Sequence, residues 1–382
     1  MRVLLCNWRD PFHPSAGGAE VYTHQVLRRW VDRGIEVVWF CAEVDGRPAT
    51  ETLDGIKIVR SGGRHTVYRA ARDYFRSQPA GHFDLVIDEV NTRPFMCHRW
   101  AGATPVVALI HQVAKEVWFQ EMPLPVAVAG RYLLEPLWLR EMRRVPTMTV
   151  SHSSRDSLHA YGLQKVTVVP EGYEPHAQAH KPYKPAHLTL AFVGRLARNK
   201  RPDHALAVHS IVRRRVPDAE LIMIGDGVML DELRDTAGPG VTFLGRVPTV
   251  LKNDLVSRAH ASIVTSVREG WALVVDEAAN LGTPSFGYDV AGLRDSIPQA
   301  QGVLVEPRPE ALAEAIVEAV PSLLAQERRE PWYGGARNWD EVANTVLERS
   351  LRIAEVPSHR NLGVATARPS VDRMPVMAEG IA

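Results

Sequence analysis

The chain has 382 residues, a formal net charge of +1 at pH 7, and 45% hydrophobic and 23% charged residues. Two domains are expected, because single hydrophobic cores stop growing beyond about 250–300 residues. The near-neutral charge excludes a general attraction to nucleic acid, and the apolar runs are too short for a signal peptide or a membrane-spanning helix.

The chain opens with a strand, helix, strand pattern. Residues 3–6 and 35–40 are apolar runs typical of buried strands, and residues 19–33 have helical periodicity. This order predicts the start of a doubly wound parallel sheet. Gly17 and Gly18 lie at the predicted helix start, where glycine lets a ligand approach the backbone. They lack the Gly-x-Gly-x-x-Gly spacing of a dehydrogenase, and an ordinary tight turn explains them equally well.

Three further strands are predicted at residues 56–59, 84–87 and 106–110. His111 follows the last of them, at the edge where open α/β sheets place ligands. A lone histidine there is more often structural than catalytic, so its position alone makes His111 only a candidate. Three polar residues end the preceding strand: Asp88, Glu89 and Asn91. They could face a substrate that accepts a transferred group, although charges solvated in a loop are the simpler explanation.

Residues 116–144 combine aromatic and leucine side chains with four arginines. Such a segment could touch anionic lipid. A helix that packs on the core and keeps its arginines in water is the commoner case, and we favour it. If the protein acts on a lipid-linked substrate, residues 131–144 would make a weak contact with the membrane surface.

The first half ends with a predicted strand at residues 166–169, followed by Pro170-Glu171-Gly172-Tyr173. Residues 176–187 then have the proline content of a linker. After the next predicted strand, at residues 188–193, come Gly194, Arg195 and Lys200. Arginine binds two phosphate oxygens at once and lysine supplies a mobile charge, so these residues indicate a diphosphate site.

The stretch from Ser262 to Ser285 is the most informative in the chain. A short apolar run leads through a turn containing Glu269 to a predicted helix from about Trp271 to Leu281, with Glu277 about two turns inside it. The helix start offers unpaired N–H groups to a phosphate, and carboxylates accept hydrogen bonds from paired hydroxyls. This is the outline of a nucleotide-sugar site, although solvated glutamates would explain the two carboxylates taken alone.

The whole string resembles the donor-site motif of the retaining glycosyltransferases of family 4, which have the GT-B fold. The two glutamates are separated by seven residues, as in that family. The resemblance rests on these positions: Ser266, Glu269-Gly270, Leu273, Glu277-Ala278 and Gly282-Thr283-Pro284. The chain departs from the family at Trp271-Ala272, where Phe-Gly is usual, at Asp276, where an apolar residue is usual, and at Glu171, where the family has Asn.

The resemblance implies roles for the candidate residues. Glu269 would hold sugar hydroxyls, Glu277 the ribose, and Arg195 and Lys200 the diphosphate. The glycine loop at residues 17–18 would face the diphosphate, His111 the transferred sugar, and the turn at residues 245–247 the base. We predict as catalytic Arg195, Lys200, Glu269 and His111, and as donor-binding Gly17, Gly18, Gly194, Arg246, Val247, Gly270, Trp271, Ala272, Leu273 and Glu277.

The expected fold is α/β, with two facing Rossmann-like doubly wound domains and an interdomain cleft. The predicted divisions are an acceptor-side domain at 1–180, a nucleotide-sugar-binding domain at 188–335, a helix crossing back to the first domain at 336–356, and a disordered tail at 357–382. Cys6, Cys41 and Cys97 are an odd, scattered set, which indicates reduced thiols in a cytoplasmic protein, and the excess of arginine over lysine is typical of a GC-rich bacterium.

The expected activity is retaining transfer of a sugar from a UDP-, GDP- or dTDP-linked donor to a hydroxyl acceptor, such as a cell-envelope glycan or lipid or a secondary metabolite. The sequence contains no Asp-x-Asp motif, so neither a metal nor another cofactor is expected. Two alternatives stay open. One is a sugar-nucleotide 2-epimerase of the same architecture, and the other is a catalytically silent nucleotide-binding partner, which the Trp271-Ala272 departure would permit.

Overall fold

The structure is a computed structural model that describes residues 1–173, 183–325 and 337–353. The predicted tail at 357–382 and most of the predicted linker at 176–187 lie outside these ranges. In the described parts of the chain, no helix is both long enough and apolar enough to cross a membrane.

The first sheet has eight strands. They are β1 (Arg2–Cys6), β2 (Glu36–Cys41), β3 (Thr50–Leu53), β4 (Ile56–Arg60), β5 (Leu85–Glu89), β6 (Val106–Leu109), β7 (Thr147–Thr149) and β8 (Val166–Val168). Their order is β3-β4-β2-β1-β5-β6-β7-β8, and every pairing is parallel except the β3–β4 hairpin. β1 and β5 are almost entirely buried, which explains why they read as continuous apolar runs.

Six helices accompany this sheet: α1 (Gly18–Val31), α2 (Val67–Ser77), α3 (Val117–Glu121), α4 (Leu124–Ala129), α5 (Glu135–Glu141) and α6 (His152–Ala160). Gly17 is the N-cap of α1, and its N–H donates to the Glu20 carboxylate at 2.7 Å. Tyr22, Val26 and Trp30 are buried on one face of α1, as their spacing predicts.

Residues 117–144 fold as short helices around a turn of π-helix at Gly130–Leu134. Trp118 and Leu139 pack inward, as expected for a core-facing segment. Other apolar side chains in the segment are exposed to solvent, with Tyr132 67%, Leu133 55% and Leu137 52% exposed. The expectation that the segment simply packs on the core was therefore wrong for these residues.

The second sheet is fully parallel. Its strands are β10 (Thr189–Val193), β11 (Glu220–Ile224), β12 (Val241–Gly245), β13 (Ala261–Val264), β14 (Ser285–Tyr288) and β15 (Val303–Val305), and the short strand β9 (Gly172–Tyr173) precedes them in the chain. Their order in the sheet is β12-β11-β10-β13-β14-β15. The helices are α7 (Pro202–Arg213), α8 (Leu230–Thr236), α9 (Thr249–Arg258), α10 (Leu273–Asn280), α11 (Leu293–Gln299) and α12 (Pro309–Ala325).

The last described helix, α13 (Trp339–Ile353), packs on α1 of the first sheet. The Trp30 indole N–H donates to the Ala343 carbonyl at 2.9 Å, and Arg29 pairs with Asp340 at 2.6 Å. Before α13, β16 (Arg337–Asn338) pairs with β9. The Trp339 ring lies so close to Gly172 that a Cβ there would come within 2.7 Å of the ring. The last described segment is thereby held to the first sheet.

Candidate active site between the two sheets

The two halves of the chain meet where the carboxyl ends of their strands face each other. Gly270 lies against the backbone carbonyl of His111, so a Cβ on Gly270 would sit 2.9 Å from that oxygen. A Cβ on Gly18 would sit 3.7 Å from Cδ1 of Leu273, the first residue of α10. The predicted glycine loop therefore faces the predicted donor motif across the cleft.

Glu269 and Lys200 are direct neighbours. One oxygen of the Glu269 carboxylate, Oε1, accepts hydrogen bonds from the Lys200 ammonium and from the Ser266 hydroxyl, the latter at 2.6 Å. Thr265 donates to the Lys200 carbonyl at 2.9 Å, which ties the loop after β10 to the loop after β13. The two predicted catalytic groups, one from each loop, thus form an ion pair with each other.

The region around Trp271 differs from its prediction. The helix begins at Leu273 and ends at Asn280, whereas the sequence predicted a helix from about Trp271 to Leu281. Ala272 has a left-handed backbone, with φ 81° and ψ 75°, so the helix cannot extend back through it. The Trp271 side chain is only 3% exposed and packs into the core of the first sheet.

Asp276 is the partner of Trp271. The indole N–H donates to Asp276 Oδ2 at 2.5 Å. Burial raises the pKa of Asp276 to about 7, and the hydrogen bond from Trp271 only partly opposes this rise. The two departures from the family motif in this stretch are thus in contact with each other.

Glu277 lies about one turn inside α10, not two as predicted from the sequence. Its Oε2 atom accepts a hydrogen bond from the Lys252 ammonium at 2.6 Å, and its side chain is 35% exposed. Lys252 is on α9 and had no predicted role, because a lysine on a helix carries no signal of a partner 25 residues away. The carboxylate is accessible for the expected contact with a ribose.

His111 lies between two buried carboxylates. Its Nε2 atom is 3.3 Å from Glu89 Oε1, and its Nδ1 atom is 3.9 Å from Glu171 Oε1. Burial alone would lower the pKa of His111, but the adjacent Glu171 and Glu89 carboxylates raise it to about 9. Burial raises the pKa of both glutamates, and the His111 charge opposes that rise.

The expectation of solvated loop charge was wrong for Asp88 and Glu89, the last two residues of β5. Asp88 is fully buried and accepts hydrogen bonds from the backbone N–H groups of Phe95 and Cys97, both at 2.9 Å. Glu89 is also fully buried, and Thr23 donates to it at 2.9 Å. Asp88 therefore orders the loop that follows β5, whereas Glu89 belongs to the His111 cluster.

Arg195 directly follows Gly194 at the end of β10 and is partly exposed. Among the residues that the structure describes, no carboxylate pairs with Arg195. An arginine without a carboxylate partner, close to Lys200 in the chain, is available to bind an anion. This arrangement fits the diphosphate role expected from the sequence.

The turn containing Arg246 and Val247 also reaches across the cleft. The Arg246 guanidinium donates to the Pro14 carbonyl at 3.2 Å, just before the glycine loop. On the other side, the Asp295 carboxylate accepts hydrogen bonds from the N–H groups of His152 and Ser153 at the start of α6, at 3.0 and 3.2 Å. The Asp295 contact could not be predicted from the sequence, because such pairs depend on how the two halves of the chain are arranged.

Two family models match the chain. "Glycosyltransferase Family 4" matches residues 16–177, and "Glycosyl transferases group 1" matches residues 187–321, so that together they span most of the chain. The protein belongs to the family 4, or group 1, glycosyltransferases. The resemblance carried by the donor motif is confirmed.

Curated relatives and solved structures agree with this assignment. The glycosyltransferase is 26% identical to glycogen synthase of Mycobacterium tuberculosis, covering 86% of this chain and 88% of that protein. It is 27% identical to D-inositol 3-phosphate glycosyltransferase of Geodermatophilus obscurus, covering 91% and 87%. Sucrose-phosphate synthase from Thermosynechococcus elongatus superposes with a TM-score of 0.72 at 20% identity, covering 92% and 99%. The predicted GT-B fold is confirmed.

The backbone at Ala272 yields a stability prediction. A side chain in the left-handed region costs roughly 1–2 kcal/mol, a cost that glycine does not have. Ala272→Gly should therefore raise the melting temperature, although the greater freedom of the unfolded chain offsets part of the gain. Differential scanning fluorimetry measures the change.

The matched control is Ala279→Gly, in the helix α10 that follows Ala272. Glycine in a helix interior costs about 0.5–1 kcal/mol, so this variant should melt at a lower temperature than the wild type. If Ala272→Gly destabilises the protein as much as Ala279→Gly, the left-handed conformation at Ala272 is contradicted.

Proposed function

We propose that this glycosyltransferase is a retaining, metal-independent hexosyltransferase that moves a sugar from a nucleotide-sugar donor to a hydroxyl acceptor. The observation that carries the proposal is the Lys200–Glu269 pair beside the start of α10, which faces the Gly17-Gly18 loop. Arg195 lies five residues before Lys200 in the chain. These groups are the anion-binding and hydroxyl-binding elements that such a donor requires.

Charge stabilisation at the departing diphosphate is the main task of the site. Glycosyl transfer develops positive charge on the sugar and negative charge on the leaving group. Arg195, Lys200 and the N–H groups of residues 270–273 would bind that negative charge, and such preorganised groups contribute several kcal/mol. Lys200 would then exchange its contact with Glu269 for one with phosphate, which frees the Glu269 carboxylate to accept sugar hydroxyls.

Retention of the configuration at the anomeric carbon of the sugar follows from the way the acceptor would be activated. The leaving oxygen of the diphosphate takes the proton of the acceptor hydroxyl on the same face of the sugar, as the family resemblance implies. No enzyme nucleophile is needed in this scheme. Closure of the two halves through contacts such as Gly270 with His111 would exclude water and place the acceptor beside the leaving oxygen.

The donor base and the acceptor are open within this proposal. Relatives include glycogen synthase and D-inositol 3-phosphate glycosyltransferase, whose names indicate different acceptors. UDP is the first nucleotide to test, because two proteins of this fold were solved with UDP-containing ligands. An epimerase would isomerise a nucleotide sugar without any acceptor, and a silent binding protein would leave it unchanged. Either result would contradict transfer.

We place the enzyme in the cytoplasm, with weak peripheral contact to the membrane through residues 131–144. Cys6, Cys41 and Cys97 are buried free thiols, which supports a reducing compartment. Leu133 and Leu137 are exposed, and the same segment carries exposed arginines at 140, 143 and 144, a combination suited to anionic lipid.

Vesicle binding tests the membrane contact. Wild-type protein should cosediment with phosphatidylglycerol vesicles more than with phosphatidylcholine vesicles, because the arginines attract anionic lipid. Leu133→Ser/Leu137→Ser should reduce this binding, whereas the control Val250→Ser, at an exposed position of the second half, should not. Equal binding by the wild type and the double variant would contradict the contact.

Ligand-dependent stabilisation tests the diphosphate site. Without added metal, the wild-type protein should gain thermal stability with one of UDP, GDP, dTDP or ADP, or with a sugar derivative of that nucleotide. A ligand that binds only the folded state stabilises that state by mass action. Arg195→Ala should lose most of this shift, since it removes a cation proposed to bind the phosphates. Arg198→Ala, an exposed arginine three residues away, is the matched control and should keep the shift. An unchanged shift in Arg195→Ala would contradict the assignment of Arg195 to the diphosphate site.

A further inference from the structure

Glu171 is a buried carboxylate beside His111. It follows β8, and the residue is only 7% exposed. Its Oε1 atom faces His111, whereas its Oε2 atom has no hydrogen-bond partner among the described residues. A buried polar atom without a partner is destabilising, and most such atoms in folded proteins bind another protein group, a water or a ligand.

The surroundings of Glu171 place it inside the cleft rather than in the core of one domain. Charges on Glu269 and Lys200, from the second half of the chain, act on the Glu171 carboxylate. Glu171 in turn contributes to the raised pKa of Asp276. Neither ring nitrogen of His111 makes a well-aligned hydrogen bond within the described part of the chain. Buried polar atoms of Glu89, His111 and Glu171 that lack a hydrogen bond among the described residues therefore lie together in the cleft.

The charge balance around this point favours a positive ligand. His111 lies beside Glu89 and Glu171, and Lys200 beside Glu269, so acidic groups outnumber basic ones in this part of the cleft. Burial raises the pKa of Glu171, and a positive ligand would favour its ionised form. When a diphosphate draws Lys200 away, the excess of acidic groups increases. A protonated amine would satisfy Glu171 Oε2 with a charge-assisted hydrogen bond, whereas a carboxylate-bearing sugar would be repelled.

We propose that Glu171 is a specificity-determining residue that binds a protonated amine on a sugar substrate. The inference rests on the proposed function, because the ligand is a substrate of the same cleft. The amine belongs either to the transferred sugar or to the acceptor, and the chemistry recognised by Glu171 is the same in both cases. An amino sugar is bound more tightly than the sugar that carries a hydroxyl at the same position.

Asp276 and Trp271 support this selection. The Trp271 indole N–H donates to Asp276 Oδ2 at 2.5 Å and so fixes the Asp276 carboxyl group. A second acidic group is thereby held in place near Glu171. The Trp271 side chain is itself fixed by burial in the core of the first sheet. Asp276 is thus a positioning residue, whereas Glu171 makes the contact.

Calorimetric titration of the full chain, at a pH below the pKa of the sugar amine, tests the proposal in two arms. The donor arm compares UDP-glucosamine with UDP-glucose, and the acceptor arm compares D-glucosamine with D-glucose in the presence of saturating UDP. In one arm the amine should bind about tenfold more tightly, as expected for one charge-assisted hydrogen bond. The arm that shows the preference identifies the source of the amine.

Variants separate Glu171 from general effects of charge. Glu171→Gln keeps the shape and removes the charge, so the ratio of the two affinities should fall to near one. Glu171→Asn, which restores the family residue, should do the same and serves if the first variant folds poorly. Glu318→Gln, at an exposed position on α12, is the control and should keep the wild-type ratio.

The outcomes are distinguishable. UDP binding without any preference for the amine, or a preference that persists in Glu171→Gln, overturns the role of Glu171 and leaves the proposed function standing. Failure of the wild type to bind UDP or either UDP-sugar contradicts a uridine-nucleotide site, and the amine selection falls with it.

Discussion

The contact between Gly270 and the His111 carbonyl is the constraint on which the site depends. Only a residue without a side chain fits there, because a Cβ would lie 2.9 Å from the carbonyl oxygen. Through this contact the end of β6 meets the turn before α10. Glu269, Lys200 and the start of α10 are then held opposite His111 and the glycine loop. A diphosphate and a sugar can occupy the space that these groups share.

Much of the fold and part of the site could be predicted from the sequence because the strands are parallel. Buried strands are continuous apolar runs, and their carboxyl ends gather at one edge, so Gly194, Arg195 and His111 could be placed at the cleft from the sequence alone. The donor motif added Glu269 and Glu277, and the family comparison confirms the fold. The predicted domain boundaries near residues 180 and 335 stay predictions, because they fall outside the described residues.

Contacts between distant segments could not be predicted. Glu89 looked like a loop charge, yet it is buried against His111, because the sequence does not show which strand ends become neighbours. Trp271 looked like part of a helix, whereas Ala272 turns the backbone left-handed and places the indole in the first core. Lys252 and Asp295 find their partners only through the packing of the helices that carry them.

Hydrogen exchange with mass spectrometry tests the central claim most directly, because it reports on the backbone groups assigned to the phosphate. The probe is the nucleotide sugar that gives the largest thermal shift. We expect slower exchange in two places at once, the glycine loop around residues 16–20 and the turn and helix start at residues 269–275. Protection confined to one half of the chain, or to neither of these segments, would contradict a donor site in the cleft between the two sheets.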